Sequence, residues 1–435
     1  MNSIIFVYAK IEFSDNYPCS WIPYSMLSLA SSLDLHDWEV VVFDGNRKDK
    51  EEFNKILVHI KPSVVAFSIM TGGGQIKNAL ELASIVKNYD ASIINVFGGP
   101  HVNILPVQTL KHLLVDVVVV GLGQGIIKDL LRAIISRTDM SNLPGVYYKY
   151  KGKIYLGQEP KPLSSLTQYN FDLINVHDYI QYDRTISDKT INYIASQGCI
   201  YDCRFCYEYI YKKKYYKMPI DFIKRDLMFF DNNNITGVKF YDANFFVDFN
   251  HAVNISEILK SHNLKWAASI HPKNILKSEN GRVNLLLKNL QKSNCQRLLM
   301  GIESGSDRIL AETIRKRANK NEMVYAAKRI AEYGILGSYT FMIGFPDETP
   351  EERKETFDFI ESLWKITPRP ETNIHIYLPY PGTPLYKEAL EMGFIPPNSL
   401  EGWSYFSYYK AMTPWISNEL EEEVKNFTSL IKKDE

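Results

Sequence analysis

Short apolar runs alternate with helix-length amphipathic stretches along almost the whole chain. A short apolar run bounded by turn residues reads as a strand buried on both faces. An amphipathic stretch between two such runs reads as the helix that carries the chain from one parallel strand to the next. The first half offers five candidate strands: Ser3–Ala9, Val40–Asp44, Val64–Ile69, Ser92–Gly98 and Asp116–Val120. Helical segments such as Tyr24–Leu33 and Gln75–Tyr89 separate them. This series predicts a doubly wound, Rossmann-like parallel sheet over residues 1–140.

From about Ser141 to Thr190 the alternation breaks down around Pro144, Pro160 and Pro162, and residues 141–190 read as a linker. A second series then begins, with candidate strands Tyr193–Ser196, Val238–Asp242, Trp266–His271, Arg297–Glu303, Ser338–Gly344 and Asn373–Leu378. Six β/α units in succession predict a partial (β/α)6 barrel over residues 191–385. The tail, 386–435, reads as a helical extension with a polar end. The fold class is α/β throughout.

With 435 residues, 45% of them hydrophobic, the chain is too long for one ordinary core and suggests two or three domains. Fifty basic residues balance fifty acidic ones. That balance gives no electrostatic reason to expect nucleic acid or an anionic membrane as the main partner. The N-terminus lacks a basic region before its short apolar run, and no stretch approaches the ~18 apolar residues that span a bilayer. A cytoplasmic protein is expected.

Three of the five cysteines fall within eight positions, in Gly198-Cys199-Ile200-Tyr201-Asp202-Cys203-Arg204-Phe205-Cys206-Tyr207-Glu208. This is no disulfide framework. Thiolates on one loop can bind three irons of a single iron–sulfur cluster, leaving the fourth iron open to a substrate. Structural zinc wants four ligands, usually as two pairs, and no second cysteine pair exists. Cys19 and Cys295 are isolated and read as buried apolar residues.

The Cys-x3-Cys-x2-Cys spacing after the first barrel strand resembles the radical S-adenosylmethionine superfamily. The resemblance implies a 4Fe–4S cluster on Cys199, Cys203 and Cys206, whose open iron chelates the amine and carboxylate of S-adenosylmethionine. Reductive cleavage of that sulfonium would yield a 5′-deoxyadenosyl radical. By the same resemblance Phe205 lies beside the adenine. Asp242, in Phe240-Tyr241-Asp242-Ala243-Asn244, meets the methionine amine, unless it merely caps the next helix. Glu303, in Gly301-Ile302-Glu303-Ser304-Gly305, meets the ribose or the methionyl part. Gly344, in Met342-Ile343-Gly344-Phe345-Pro346-Asp347-Glu348, lets backbone approach the adenine, and Glu348 either holds that loop or touches ligand. His271 stands near a place where relatives often have Arg.

The motif Tyr380-Pro381-Gly382-Thr383-Pro384-Leu385-Tyr386 is typical of the branch with an N-terminal cobalamin-binding domain, and the first domain resembles that domain. The matching stretches are Pro23–Ala30, Ser68-Ile69-Met70, Gly98-Gly99-Pro100-His101 and Val120-Gly121-Leu122-Gly123-Gln124. Ser68, Gly98 and Gly99 are the implied cobalamin contacts, beside the flexible loop Thr71-Gly72-Gly73-Gly74. Asp44-Gly45-Asn46-Arg47 stands where an axial-histidine motif would supply an imidazole. His101 is a cobalt ligand or a loop histidine near nucleotide or solvent.

The basic run Lys212–Lys217 is a solvated segment, or else a site for an acidic substrate or an electron-donor protein such as flavodoxin or ferredoxin. The function implied is cobalamin-dependent radical methylation of an unactivated carbon or phosphorus centre in a small-molecule or peptide substrate. A cyclisation, ring contraction or oxidation without methyl transfer is the alternative within the class. A cobalamin-binding sensor with a relic barrel is the alternative outside it.

Overall fold

The computed structural model describes residues 2–12, 20–72, 74–211, 214–276, 282–367, 370–406 and 413–433. Two compact units emerge, one of residues 1–179 with 396–407 and one of residues 180–395 with 408–435.

The first unit is built on a seven-stranded sheet. Its strands are β1 (Asn2–Tyr8), β2 (Trp38–Asp44), β3 (Val64–Ser68), β4 (Ile94–Gly98), β5 (Val117–Val119), β6 (Val146–Tyr150) and β7 (Lys153–Tyr155), in the order β2-β1-β3-β4-β5-β6-β7. The first five are parallel, as expected, because helices such as Lys50–Ile60 and Gln75–Tyr89 return the chain to the same end each time. β3 and β5 are buried at every position, which only a sheet covered on both faces allows. Ile4, Phe6, Val64, Ala66, Val96 and Val117 form the centre of the core. Strand order reverses at β1 and β3, so the switch point lies between the loops that follow them. Gln75, 2% exposed, clips those loops together. Its Nε2 donates to the Ala9 carbonyl at 3.0 Å, and its Oε1 accepts from Met70 N at 2.8 Å.

Residues 141–190 are more than a linker. β6 and β7 extend the first sheet in antiparallel fashion, because Val146 and Tyr148 alternate inward while Pro144 and Pro160 flank the hairpin rather than interrupt it. The tail also divides. Residues 396–407 belong to the first unit, where Trp403 is buried and its indole donates to Gln108 Oε1 at 2.8 Å. The helix Asn418–Lys433 belongs to the second.

The second unit begins with β8 (Gln181–Asp183) and β9 (Ser187–Tyr193). A separate hairpin follows, β10 (Ser196–Gly198) with β11 (Tyr215–Lys217). The series continues with β12 (Gly237–Phe240), β13 (Lys265–Ile270), β14 (Cys295–Glu303), β15 (Leu336–Ile343) and β16 (Glu371–Ile376). Six of these run parallel in one curled sheet, ordered β16-β15-β14-β13-β12-β9, and β8 adds an antiparallel edge. The partial (β/α)6 barrel is therefore present. Its first strand starts earlier than the apolar pattern suggests, because Ser187, Asp188 and Lys189 lie on an outer, wetter stretch of β9. Ser196, expected in that strand, belongs to the hairpin instead. Asn319 with Glu322 and Thr349 with Glu352 form capping boxes that start two of the crossover helices.

An open half-barrel has two free edges, and a single side chain ties them. Arg297 near the start of β14 is 5% exposed. It donates to Glu371 on β16 at 2.7 Å, to Asp183 on β8 at 2.9 Å and to Thr185 at 2.6 Å. Although burial opposes it, the Arg297 guanidinium holds the Asp183 carboxyl below its usual value. Replacing Arg297 by Ala would leave two partly buried carboxylates without their cation, at a cost of about 3 kcal/mol. Because the Asp183 carboxyl is depressed in the folded state, the stabilisation is present above the ordinary carboxylate range and lost as the pH falls through it. Urea unfolding of Arg297→Ala at neutral and acidic pH should show a large loss at neutral pH that shrinks in acid. An equal loss at both would remove the ion pair from the account.

Candidate active site

All parallel strands of the second unit deliver their C-terminal ends to one rim, where barrels of this kind build sites. The cysteines lie between the strands of the β10–β11 hairpin at that rim. Gly198, with φ +95, precedes Cys199, and a Cβ there would collide with the Lys214 carbonyl, so only glycine lets the hairpin close at this point. Cys203 is buried, and Cys199 and Cys206 are half-buried. Burial pushes all three thiols up, Cys203 to about 11, so without a metal they stay protonated at neutral pH. Among the described residues no group of three or more His, Cys, Asp or Glu side chains could hold one metal ion. Three thiols on one loop are the kind of ligand an iron–sulfur cluster takes.

The loop is clamped from one side by residues 312–317, just after the fourth parallel strand. Arg204 N donates to the Ile314 carbonyl at 2.9 Å, and its guanidinium donates to the carbonyls of Glu312 and Thr313 at 3.1 and 3.0 Å. Arg317 forms a two-pronged pair with Asp202 inside the cysteine motif, at 3.1 and 2.8 Å. Arg315 and Arg317 are both left-handed (φ 56 and 64), a costly conformation for residues with a Cβ. This strained turn presents Lys316 inward, 5% exposed, with Nζ 2.8 Å from Glu303 Oε1. Glu303 is left-handed as well (φ 71), at a register shift between β14 and β15. The irregularity re-aims its side chain, as bulges near sites do. Burial opposes the Lys316 charge, but the paired Glu303 carboxylate outweighs it and holds its basicity above the ordinary value.

Other residues expected at the site fall as follows. Asp242 is 2% exposed and engages both carboxylate oxygens, one with Ala195 N at 3.2 Å and the other with the Ser196 hydroxyl. It anchors the start of the cysteine hairpin and does not cap the next helix. Phe205 sits 6.1 Å from Phe345 (edge to face), and Phe345 lies 5.5 Å from Tyr377, so an aromatic row runs along the rim. Gly344 is left-handed (φ +79), and a Cβ there would meet Ile416 Cδ1 at 2.5 Å. Its carbonyl accepts from the Trp415 indole at 3.1 Å. Glu348 holds this loop by accepting from Gly344 N at 2.6 Å. The His271 ring stacks on Tyr201 of the cysteine motif, centroids 3.6 Å apart.

Two residues escaped sequence reasoning. Lys316 lies in the triplet Arg315-Lys316-Arg317, where no motif singles it out. Glu208, two residues past Cys206, is buried enough to push its carboxyl up to about 7, and its Oε2 is buried without a hydrogen-bond partner among the described residues. Of the basic run, Lys217 pairs with Asp248 at 2.6 Å, while residues 212 and 213 lie outside the described residues. Cys295 is buried, and Cys19 and Gly73 lie outside the described residues.

In the first unit Ser68 ends β3 directly opposite Gly98 at the end of β4. A Cβ on Gly98 would make only ordinary contact, 3.7 Å from the Val119 carbonyl, whereas one on Gly99 would lie 2.7 Å from Ser68 Oγ. Gly99, left-handed at φ +94, is thus required by the protein's own β3 loop. His101 is fully buried. Its Nδ1 is 2.8 Å from Thr71 Oγ1, its ring meets Trp403 edge to face at 5.9 Å, and its Nε2 has no hydrogen-bond partner among the described residues. Burial holds it neutral, with a pKa lowered to about 4. Asp44 spends its carboxylate on Asn46 at 2.9 Å and on the Tyr179 hydroxyl at 3.1 Å, locking the turn that stands where an axial histidine would be.

A doubly wound sheet followed by a parallel half-barrel with three cysteines on one rim loop defines a two-cofactor enzyme class, and comparison with known sequences agrees. Residues 193–360 match the Radical SAM superfamily and residues 15–131 match the B12 binding domain. The chain is a radical S-adenosylmethionine enzyme with a B12-binding domain, and its cofactors are a 4Fe–4S cluster, S-adenosylmethionine and cobalamin. An uncharacterized methyltransferase of Pyrococcus horikoshii is 28% identical, over 84% of this chain and 78% of the relative. The anaerobic magnesium-protoporphyrin IX monomethyl ester cyclase of Rubrivivax gelatinosus is 22% identical, over 87% of this chain and 67% of the relative. The fold matches the radical S-adenosylmethionine methyltransferase TsrM of Kitasatospora setae, solved with cobalamin and a [4Fe-4S] cluster bound. The TM-score is 0.72 at 17% identity, covering 91% of this chain and 79% of that one. Among the described residues no helix is long and apolar enough to cross a membrane.

With His101 sealed under Trp403, cobalt should carry no protein imidazole. The electron paramagnetic resonance spectrum of the cob(II)alamin form should be the same whether or not the histidines are labelled with heavy nitrogen. A change in superhyperfine splitting on labelling would contradict this.

Proposed function

We propose that the chain is a cobalamin-dependent radical methyltransferase that acts on an unactivated carbon or phosphorus centre of a small-molecule or peptide intermediate. The observation that carries this reading is the cysteine loop clamped at a barrel rim in a chain that also has a B12-binding domain. The similarity to a methyltransferase over 84% of the chain supports it. When bound, the reduced cluster would supply the electron that splits S-adenosylmethionine, and cobalamin would carry the methyl group.

In this proposal Cys199, Cys203 and Cys206 hold three irons, and Phe205 packs beside the adenine. Glu303 offers its second oxygen to a ribose hydroxyl or the methionine ammonium, while its first stays on Lys316. Gly344 supplies backbone next to the adenine. Asp242 keeps the cysteine hairpin in place. Ser68, Gly98 and Gly99 line the cobalamin site of the first unit, and a flavodoxin- or ferredoxin-type protein supplies electrons. The row Phe205–Phe345–Tyr377 excludes water from the rim. A second reading, a radical cyclisation or oxidation without methyl transfer, is favoured by the similarity to the Rubrivivax cyclase. Anaerobic turnover of candidate substrates with methyl-deuterated S-adenosylmethionine separates the two, since only methyl transfer adds the deuterated mass to product.

Replacing Cys199, Cys203 and Cys206 together by Ala should give a folded chain with no cluster and no reductive cleavage of S-adenosylmethionine. Release of 5′-deoxyadenosine under dithionite by that variant would overturn the assignment. Glu303→Gln keeps the shape but loses the charge of a charge-assisted contact worth ~1.5–3 kcal/mol. Binding of S-adenosylmethionine should weaken roughly ten- to a hundredfold, since ~1.4 kcal/mol is a factor of ten. Normal affinity with a lowered melting temperature would make Glu303 a loop residue only.

A further inference from the structure

Lys316 is expensive to keep where it is. A buried ammonium needs compensation, and its nearest backbone neighbours, Arg315 and Arg317, both sit in the left-handed region. Among the described residues its one polar side-chain partner is Glu303, at 2.8 Å. That bond uses one of three N–H donors. A lysine needed only to neutralise Glu303 could do so from the surface without strain. The backbone shows where the cation is held. The residues on either side of Lys316 grip the cysteine loop, through the Ile314 carbonyl on Arg204 N at 2.9 Å and Arg317 on Asp202, so the buried ammonium sits in the turn that flanks Cys203. The other nearby cation, Arg317, is taken up by Asp202 of the cysteine motif at 2.8 Å.

We propose that Lys316, oriented by Glu303 and the strained turn, is a positioning residue that sets the reduction potential of the iron–sulfur cluster. The inference rests on the assignment of the cluster to Cys199, Cys203 and Cys206. One electron from a low-potential protein reductant of the flavodoxin or ferredoxin class enters the cluster core and adds one negative charge to a site already rich in thiolates. No bond forms or breaks and no proton moves. A fixed cation in a low-dielectric pocket favours the more negative, reduced state, and a fixed anion disfavours it. Lys316 therefore raises the potential, while Glu303 moderates it and keeps the ammonium in place.

The test is a redox titration of the reconstituted full chain without S-adenosylmethionine, followed by the electron paramagnetic resonance signal of the reduced cluster. Lys316→Met should lower the midpoint potential and Lys316→Arg should restore it toward the wild-type value, with iron and sulfide content unchanged. Glu303→Gln, which keeps the cation and removes its counter-charge, should raise the midpoint. A structural role for the pair has no reason to shift the two variants in opposite directions. Should Lys316→Met fail to hold a cluster, an upward shift in Glu303→Gln sustains the proposal, and a wild-type midpoint there overturns it. Full cluster content with unmoved midpoints overturns this inference alone. A wild-type chain that takes up no cluster overturns the underlying assignment as well.

Discussion

The grip of residues 312–317 on residues 202–204 is the contact on which the site depends. A loop that must hold three sulfurs in fixed relation cannot rely on helix or strand for its shape, because its backbone has to turn around the group it binds. Rigidity must come from outside. Here it comes from the carbonyls of Glu312 and Thr313 at the end of a short helix, which accept from Arg204, and from Arg317 of the strained turn reaching Asp202. The fourth parallel strand ends in an irregularity at Glu303, the residue that pairs with Lys316 of this turn. Strain of this kind survives where the surroundings over-determine it.

Much of this architecture was legible in the residue pattern. Parallel strands buried on both faces are continuous apolar runs, and ten of the eleven expected strands match real ones with ends shifted by at most two residues, whereas Tyr193–Ser196 shares only Tyr193 with β9. What the pattern hid has physical causes. β6 is antiparallel and lies near an edge, so its alternation of Val146 and Tyr148 with exposed residues looks like a proline-bounded linker. β9 starts wet. Residues 396–407 carry too few apolar residues to announce that Trp403 is buried in the first unit.

The site divides similarly. Cysteine spacing is local and speaks for itself, and Glu303 stood out because it ends a strand. Lys316 did not, because a basic triplet on a loop usually faces water, and only backbone conformation shows the middle residue turned inward. Asp242 shows the converse. Its place at a strand end suggests a ligand contact, and the structure adds a role the sequence did not show, each oxygen accepting one hydrogen bond from the cysteine hairpin, at Ala195 and Ser196. A residue's address along a strand says where it is, while its hydrogen bonds say whether it is free to act.

The return of residues 396–407 to the first unit has a consequence for how the chain is made. A ribosome delivers residues 1–179 long before Trp403, so during most of synthesis His101 and Gln108 lack the ring and indole that cover them in the finished protein. The first unit therefore waits, incomplete, while the entire barrel emerges behind it. Completion of the first unit follows the synthesis of the barrel strands rather than preceding it.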